Sequence, residues 1–284
     1  MGRGAPLCAQ FMKEGEFMWI LKVECRHILQ SAPFRIAVAV TAVVMIFSAL
    51  SNGSNSLFMT KFSPNALGQG GILFLILTGI AVGRSLGGSL HEQMPQMQYT
   101  GKFGRKLVLY KLIAVCIVSG ATYLTGGLFI TLLSLSSFRL DLYWNIPLSS
   151  AFFRRSDEFF KTPAPAFPAT AGQFWWFQLA VGLAAVLIMA VLFSAVILLV
   201  KKLYAGTAVM VCLTLYLLFP LFGGSSLLFY GDPITLFLNA PYFPKSERVF
   251  PILPWFEGGA LLFWCGVAAI LATLGFVRFR KAAL

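Results

Sequence analysis

The stretch Arg84–Lys111 reads RSLGGSLHEQMPQMQYTGKFGRKLVLYK, and long apolar runs stand on both sides of it. Upstream lies Leu67–Leu90, broken only by Arg84; downstream lies Leu107–Phe138. About 20 predominantly apolar residues cross the hydrocarbon core of a bilayer as a helix. Both runs reach that length, so the stretch between them is a polar bridge joining two membrane spans. The chain is 58% hydrophobic and 11% charged, far from the composition of a soluble domain. A membrane β-barrel is excluded, because its strands read as short alternating segments rather than continuous apolar runs. The fold class is an all-α membrane protein.

Four further runs complete the pattern. The first span is Pro33–Leu50, with Pro33 suited to a first helical turn. The fourth is Phe174–Val200, the fifth Leu203–Phe222 and the sixth Phe256–Val277. Leu107–Phe138 exceeds one crossing, so it tilts, kinks near Gly126–Gly127 or projects from the membrane. Residues 1–284 thus read as a single transmembrane domain of six transmembrane helices.

Six spans put both termini on one side. Fifteen of the 22 Lys and Arg residues then fall on that side, which makes it cytoplasmic. The reading is a multi-pass protein of the plasma (inner) membrane with both termini inside. The net charge of +12 is accounted for by contact with an anionic membrane face and asks for no nucleic acid. Trp144, Trp175, Trp176 and Trp255 all fall at the outer interface, where amphipathic rings anchor spans.

Residues 13–32 form a different kind of segment. Within Glu16–Gln30, the apolar residues Phe17, Ile20, Leu21, Cys25 and Ile28 recur at helical spacing, and Lys22, Arg26 and Gln30 occupy another face. This pattern predicts an amphipathic helix lying in the inner interface.

Catalytic chemistry is largely absent. His91–Glu92 resembles the start of a zinc-binding HExxH, but Pro95 stands where the second His belongs. No GxSxG occurs, and the Gly-rich stretch Gly83–Ser89 lacks the Lys of a phosphate-binding loop. The chain therefore hydrolyses no ATP by itself, and it carries no catalytic residue, metal or cofactor. None of its ten acids lies mid-span, where a proton- or sodium-driven carrier places them. No cysteine falls in an outer loop, so no disulfide is expected.

Two intramembrane features stand out. Gly79, Gly83 and Gly87, spaced by four, form a small-residue ridge for close helix packing, either within the chain or between subunits. Arg84 either snorkels to the inner headgroups or faces a subunit seam or polar cavity as a functional charge.

In the bridge, Glu92 is followed by a short polar helix over Gln93–Thr100, a glycine turn at Gly101–Gly104, then Arg105 and Lys111. That order resembles the permease subunit of a type-2 ABC exporter. There an acid, a short helix, a turn and an Arg precede a Lys inside the third span. The layout also resembles that family: an amphipathic helix, two spans, a bridge and four more spans. The Gly-Thr pair that commonly follows the acid is absent, and Gly101 and Gly104 stand in for the usual Pro.

The resemblance implies that residues 91–106 are a cytoplasmic coupling segment. Glu92, Met94, Gln96, Met97, Tyr99 and Arg105 would meet a separate ABC ATPase subunit, which binds ATP and Mg. It also implies a second permease copy or a homologue, and an outer re-entrant segment over 223–255. The cargo expected is amphipathic, with a peptide such as a bacteriocin, or a drug, favoured. Alternatives of another class are an immunity protein or membrane-embedded enzyme working without an ATPase, or a secondary carrier.

Overall fold

The structure is a computed structural model that describes residues 5–51, 64–87, 102–138, 144–147, 170–200 and 257–282. Among these residues every regular element is a helix, and the only β-type pairing is an isolated bridge between Pro147 and Thr170. The helices are α1 (Ala5–Gln30), α2 (Ala32–Ser51), α3 (Pro64–Val82), α4 (Lys102–Phe138), α5 (Ala171–Val200) and α6 (Glu257–Ala282). A single π-helical turn, Gly83–Gly87, continues directly from α3. The expected fifth span, Leu203–Phe222, and the segment 223–255 lie outside the described residues.

Two stretches are long and apolar enough to cross a membrane: Leu107–Phe129 in α4 and Gly182–Val200 in α5. The bent pair Met18–Gln30 and Ala32–Ile46 makes a third if it is taken as one span. Leu73–Gly87 and Trp264–Arg278 are shorter apolar helices. This architecture is compatible with an all-α membrane protein.

The outer surfaces agree with that solvent. Ile36, Val40 and Val43 form an exposed stripe along α2, and Ile270, Leu274 and Val277 form one along α6. Hydrocarbon solvates such stripes, whereas water does not. Five hydroxyls are satisfied within their own helices. Thr41, Thr78, Thr122, Thr131 and Ser194 each donate to the carbonyl four residues back, at 2.7–2.8 Å. This disposes of a donor that would otherwise be stranded away from water.

The break between α1 and α2 is local chemistry. Ser31 ends α1, its Oγ donating to the Ile28 carbonyl at 2.8 Å. Its own carbonyl accepts the first bond of α2 from the Arg35 amide at 3.1 Å. Pro33 has no N–H to continue the α1 ladder, yet it fits the first turn of a new helix. The two axes diverge by 63°.

The α1 helix turns its apolar side inward. Ile28 is fully buried, Leu21 and Cys25 pack on the core, and Lys22, Arg26 and Gln30 are exposed. The surface that receives this face is chiefly α4. Met18, Trp19 and Val23 are exposed on the rest of the helix. Periodicity announces that a face is buried; here the face meets protein.

At the centre stands α5, apolar on all sides and packed against α3, α4 and α6. A helix of that kind belongs in the interior. Its start is fixed by a reciprocal cap: the Thr170 amide donates to the Gln173 side-chain oxygen at 3.1 Å, and the Gln173 amide to Thr170 Oγ1 at 3.3 Å. Such a capping box satisfies two orphan donors at once. Trp144 closes over this end, its carbonyl accepting from the Gly172 amide at 3.0 Å and its ring meeting Trp176 edge-on at 6.4 Å.

The helix α4 runs unbroken through Gly126–Gly127 for 37 residues. At 1.5 Å per residue it is about 55 Å long, beyond the ~30 Å hydrocarbon core, so it tilts or projects rather than kinking there. Gly126 and Gly182 are where large rings enter. A Cβ at Gly126 would strike the Phe74 ring, and one at Gly182 would strike the Tyr123 hydroxyl. Phe74 and Tyr123 meet edge to face at 5.1 Å, which locks α3, α4 and α5 together.

Candidate functional site

The polar centre of the described residues is built around Lys111. This residue lies on α4, about two and a half turns after the helix begins at Lys102. Its ammonium sits 2.8 Å from Glu24 Oε1, and the two side chains are only 9% and 14% exposed. It also donates to the Ser85 backbone carbonyl at 3.1 Å. Ser85 Oγ in turn lies 3.4 Å from Glu24 Oε2. Three residues from three elements form a closed triangle: α1 brings the carboxylate, the π turn a carbonyl and hydroxyl, and α4 the ammonium.

The placement of Glu24 and of Ser85 follows from the elements that carry them. Glu24 lies three residues after Leu21 and four before Ile28, so it shares the face that α1 buries. The π turn widens the helix for one turn, a distortion that often marks functional positions, and it buries Ser85, Leu86 and Gly87. Two charges held away from water persist only as a pair with their remaining bonding capacity used. Of the three donors of the Lys111 ammonium, one meets the acid and one the carbonyl.

The residues marked in the sequence fall differently. Glu92, Met94, Gln96, Met97 and Tyr99 lie outside the described residues. Arg105 stands in the first turn of α4. Arg84 is exposed on the π turn, next to the buried Ser85. The three glycines differ in surroundings: Gly79 and Gly83 are half-buried and Gly87 is buried, and a Cβ at Gly83 would find no atom within 4 Å. The helix type changes at Gly83, so the spacing by four no longer follows a single α-helical stripe.

Glu24 and Ser85 were missed by reading the sequence for acids inside spans. The available signal was an acid on the apolar face of an amphipathic helix, where a charge is tolerated only beside a partner. Lys111 counts among the inner-side basic residues, and its place in the site enters the sequence reading only through the family resemblance. Among the described residues, no group of three His, Cys, Asp or Glu side chains is arranged to hold a metal ion. Comparison of the chain with models of known families, with curated proteins and with solved structures gives no match.

Proposed function

We infer that the chain is the membrane-spanning subunit of an ATP-driven exporter, six helices of type-2 ABC kind, working with a separate ATPase subunit. In this reading residues 91–106 engage the ATPase, and the spans form the path for an amphipathic cargo, a peptide or drug before others. A second permease copy or a homologue completes the complex in the plasma membrane.

One observation carries most of the weight. Lys111, after the bridge, is bonded to the backbone of Ser85, before it, across 26 residues of sequence. The residues on either side of the bridge are therefore two feet that are tied together. A segment meant to take force from a partner needs such feet, because a push on a slack loop would be absorbed by the loop. The tie is made by the same Lys that the family resemblance singles out.

The test is purification of the tagged full chain from its own cells, intact and with Met94–Tyr99 deleted. The intact chain should bring down a subunit with a Walker motif that hydrolyses Mg-ATP, and the deleted chain should reach the membrane without it. An intact chain that purifies with no ATP-hydrolysing subunit, or a deletion that keeps one, would contradict the proposal.

A further inference from the structure

The Ser85–Lys111 tie has a third member that does not belong to the bridge. Glu24 comes from α1, 61 residues before Ser85, and it touches both of the others. Without it, Lys111 would be a buried cation that has lost the carboxylate 2.8 Å away. Such a cation gains more by reaching toward water than by staying. The carboxylate thus holds the ammonium where it can grip the carbonyl.

We propose that Glu24 is a positioning residue for the bridge, and that α1 is the third arm of the unit that carries the bridge's movement. The description of that movement as ATP-driven rests on the function proposed above. The geometry of the arm does not.

Two structural facts favour a single body over three loosely apposed helices. The triangle is closed, each member contacting the other two, and hydrogen bonds made largely away from water are strong enough to hold their groups together. Apolar packing surrounds it as well, with Ile28 on α1 and Leu86 on the π turn both buried in the same core. The 63° bend at Ser31 then makes α1 a lever at an angle to α2. The exposed side of this lever carries Met18 and Trp19, at its middle. A displacement of the bridge's feet is transmitted to that side through Glu24.

Dipolar EPR on the cysteine-free full chain, in nanodiscs of phosphatidylcholine and phosphatidylglycerol, tests this without any ATPase. Spin labels at Arg84→Cys and Leu109→Cys report the two feet, and labels at Val23→Cys and Leu109→Cys report α1 against α4; all three positions are exposed. A third pair, Ile117→Cys and Ile270→Cys, is the control for the rest of the bundle. Both reporter pairs should give one narrow distance in the parent chain. Glu24→Leu should abolish the narrow distance in both, including the feet, and leave the control pair narrow.

The exchange Glu24→Lys with Lys111→Glu should restore the α1 distance but not the feet. A carboxylate at 111 has no proton to donate to the Ser85 carbonyl. The proposal is overturned if Glu24→Leu leaves the feet narrow, if the exchange restores them, or if the control pair broadens together with the reporters. Loss of the ATPase partner in the purification experiment would leave these distances as predicted. The two failures are thereby distinguishable.

Discussion

Replacing Lys111 with Met removes one partner of a buried ion pair and leaves the other where it is. The Glu24 side chain is 14% exposed, and Ser85 Oγ still donates to it at 3.4 Å. Stranding one member of a buried pair costs about 3–5 kcal/mol. The partial exposure of Glu24 and the surviving hydroxyl place the expected loss at the lower end, about 3 kcal/mol. That is about a hundredfold in the folding equilibrium.

The second replacement, Glu24→Leu, removes the carboxylate that faces the ammonium and should cost a similar amount. The two together leave an apolar contact between α1 and α4, so the double variant should lie within about 1 kcal/mol of the parent chain. The measurement is a double-mutant cycle of unfolding free energies, from denaturant titration of the four proteins in mixed micelles. With single losses of about 3 kcal/mol and a double loss of about 1 kcal/mol, a coupling of about 5 kcal/mol is expected. A Lys111→Met variant that loses less than about 1 kcal/mol, or single effects that simply add, would refute the claim that the pair is desolvated and joined.

Other outcomes follow from the packing. Gly182→Leu drives a side chain into the Tyr123 hydroxyl; overpacking of this kind costs about 1–3 kcal/mol and should appear as a lower melting temperature. Thr170→Val removes the hydroxyl half of the cap on α5, a loss of about 1 kcal/mol, and should speed amide exchange in the first turn of α5 but not around Ser194. Arg84 is exposed on the π turn, so Arg84→Leu should change stability by no more than about 0.5 kcal/mol. If Arg84 faces a subunit seam in the assembled exporter, the same variant should reduce transport while the purified chain melts as before.

Two of the expected spans were legible because a bilayer interior selects continuous apolar runs: the runs Leu107–Phe138 and Phe174–Val200 contain the two stretches, Leu107–Phe129 and Gly182–Val200, long and apolar enough to cross a membrane. Their edges were less legible. The start of α5 at Ala171 rather than Phe174 comes from the Thr170–Gln173 cap, a local hydrogen-bond pattern that hydropathy does not register. The break near Ser31 was marked by Pro33, which begins a helix well and continues one badly. The π turn at Gly83–Gly87 left no such mark.

Partner choice was the least legible level. The spacing of Leu21, Cys25 and Ile28 announces a buried face, but it does not say whether lipid or protein covers it, and the structure sets it on α4. The centrality of α5 is likewise a matter of which helix meets which. The triangle at Lys111 joins residues 26 and 61 positions apart in its two hydrogen bonds to Ser85 and from Ser85. Local pattern has no access to a contact of that range.

The most direct test of the account is contact at the bridge itself. A photo-cross-linking residue is placed at Met97 in the full chain and, as a comparison, at Leu132, which is exposed on α4. Both are irradiated in native membranes and the adducts identified by mass spectrometry. The account predicts an adduct at Met97 with a subunit carrying a Walker motif, and none at Leu132. A Met97 probe that reacts only with lipid or water, while the protein is folded and in place, would contradict it.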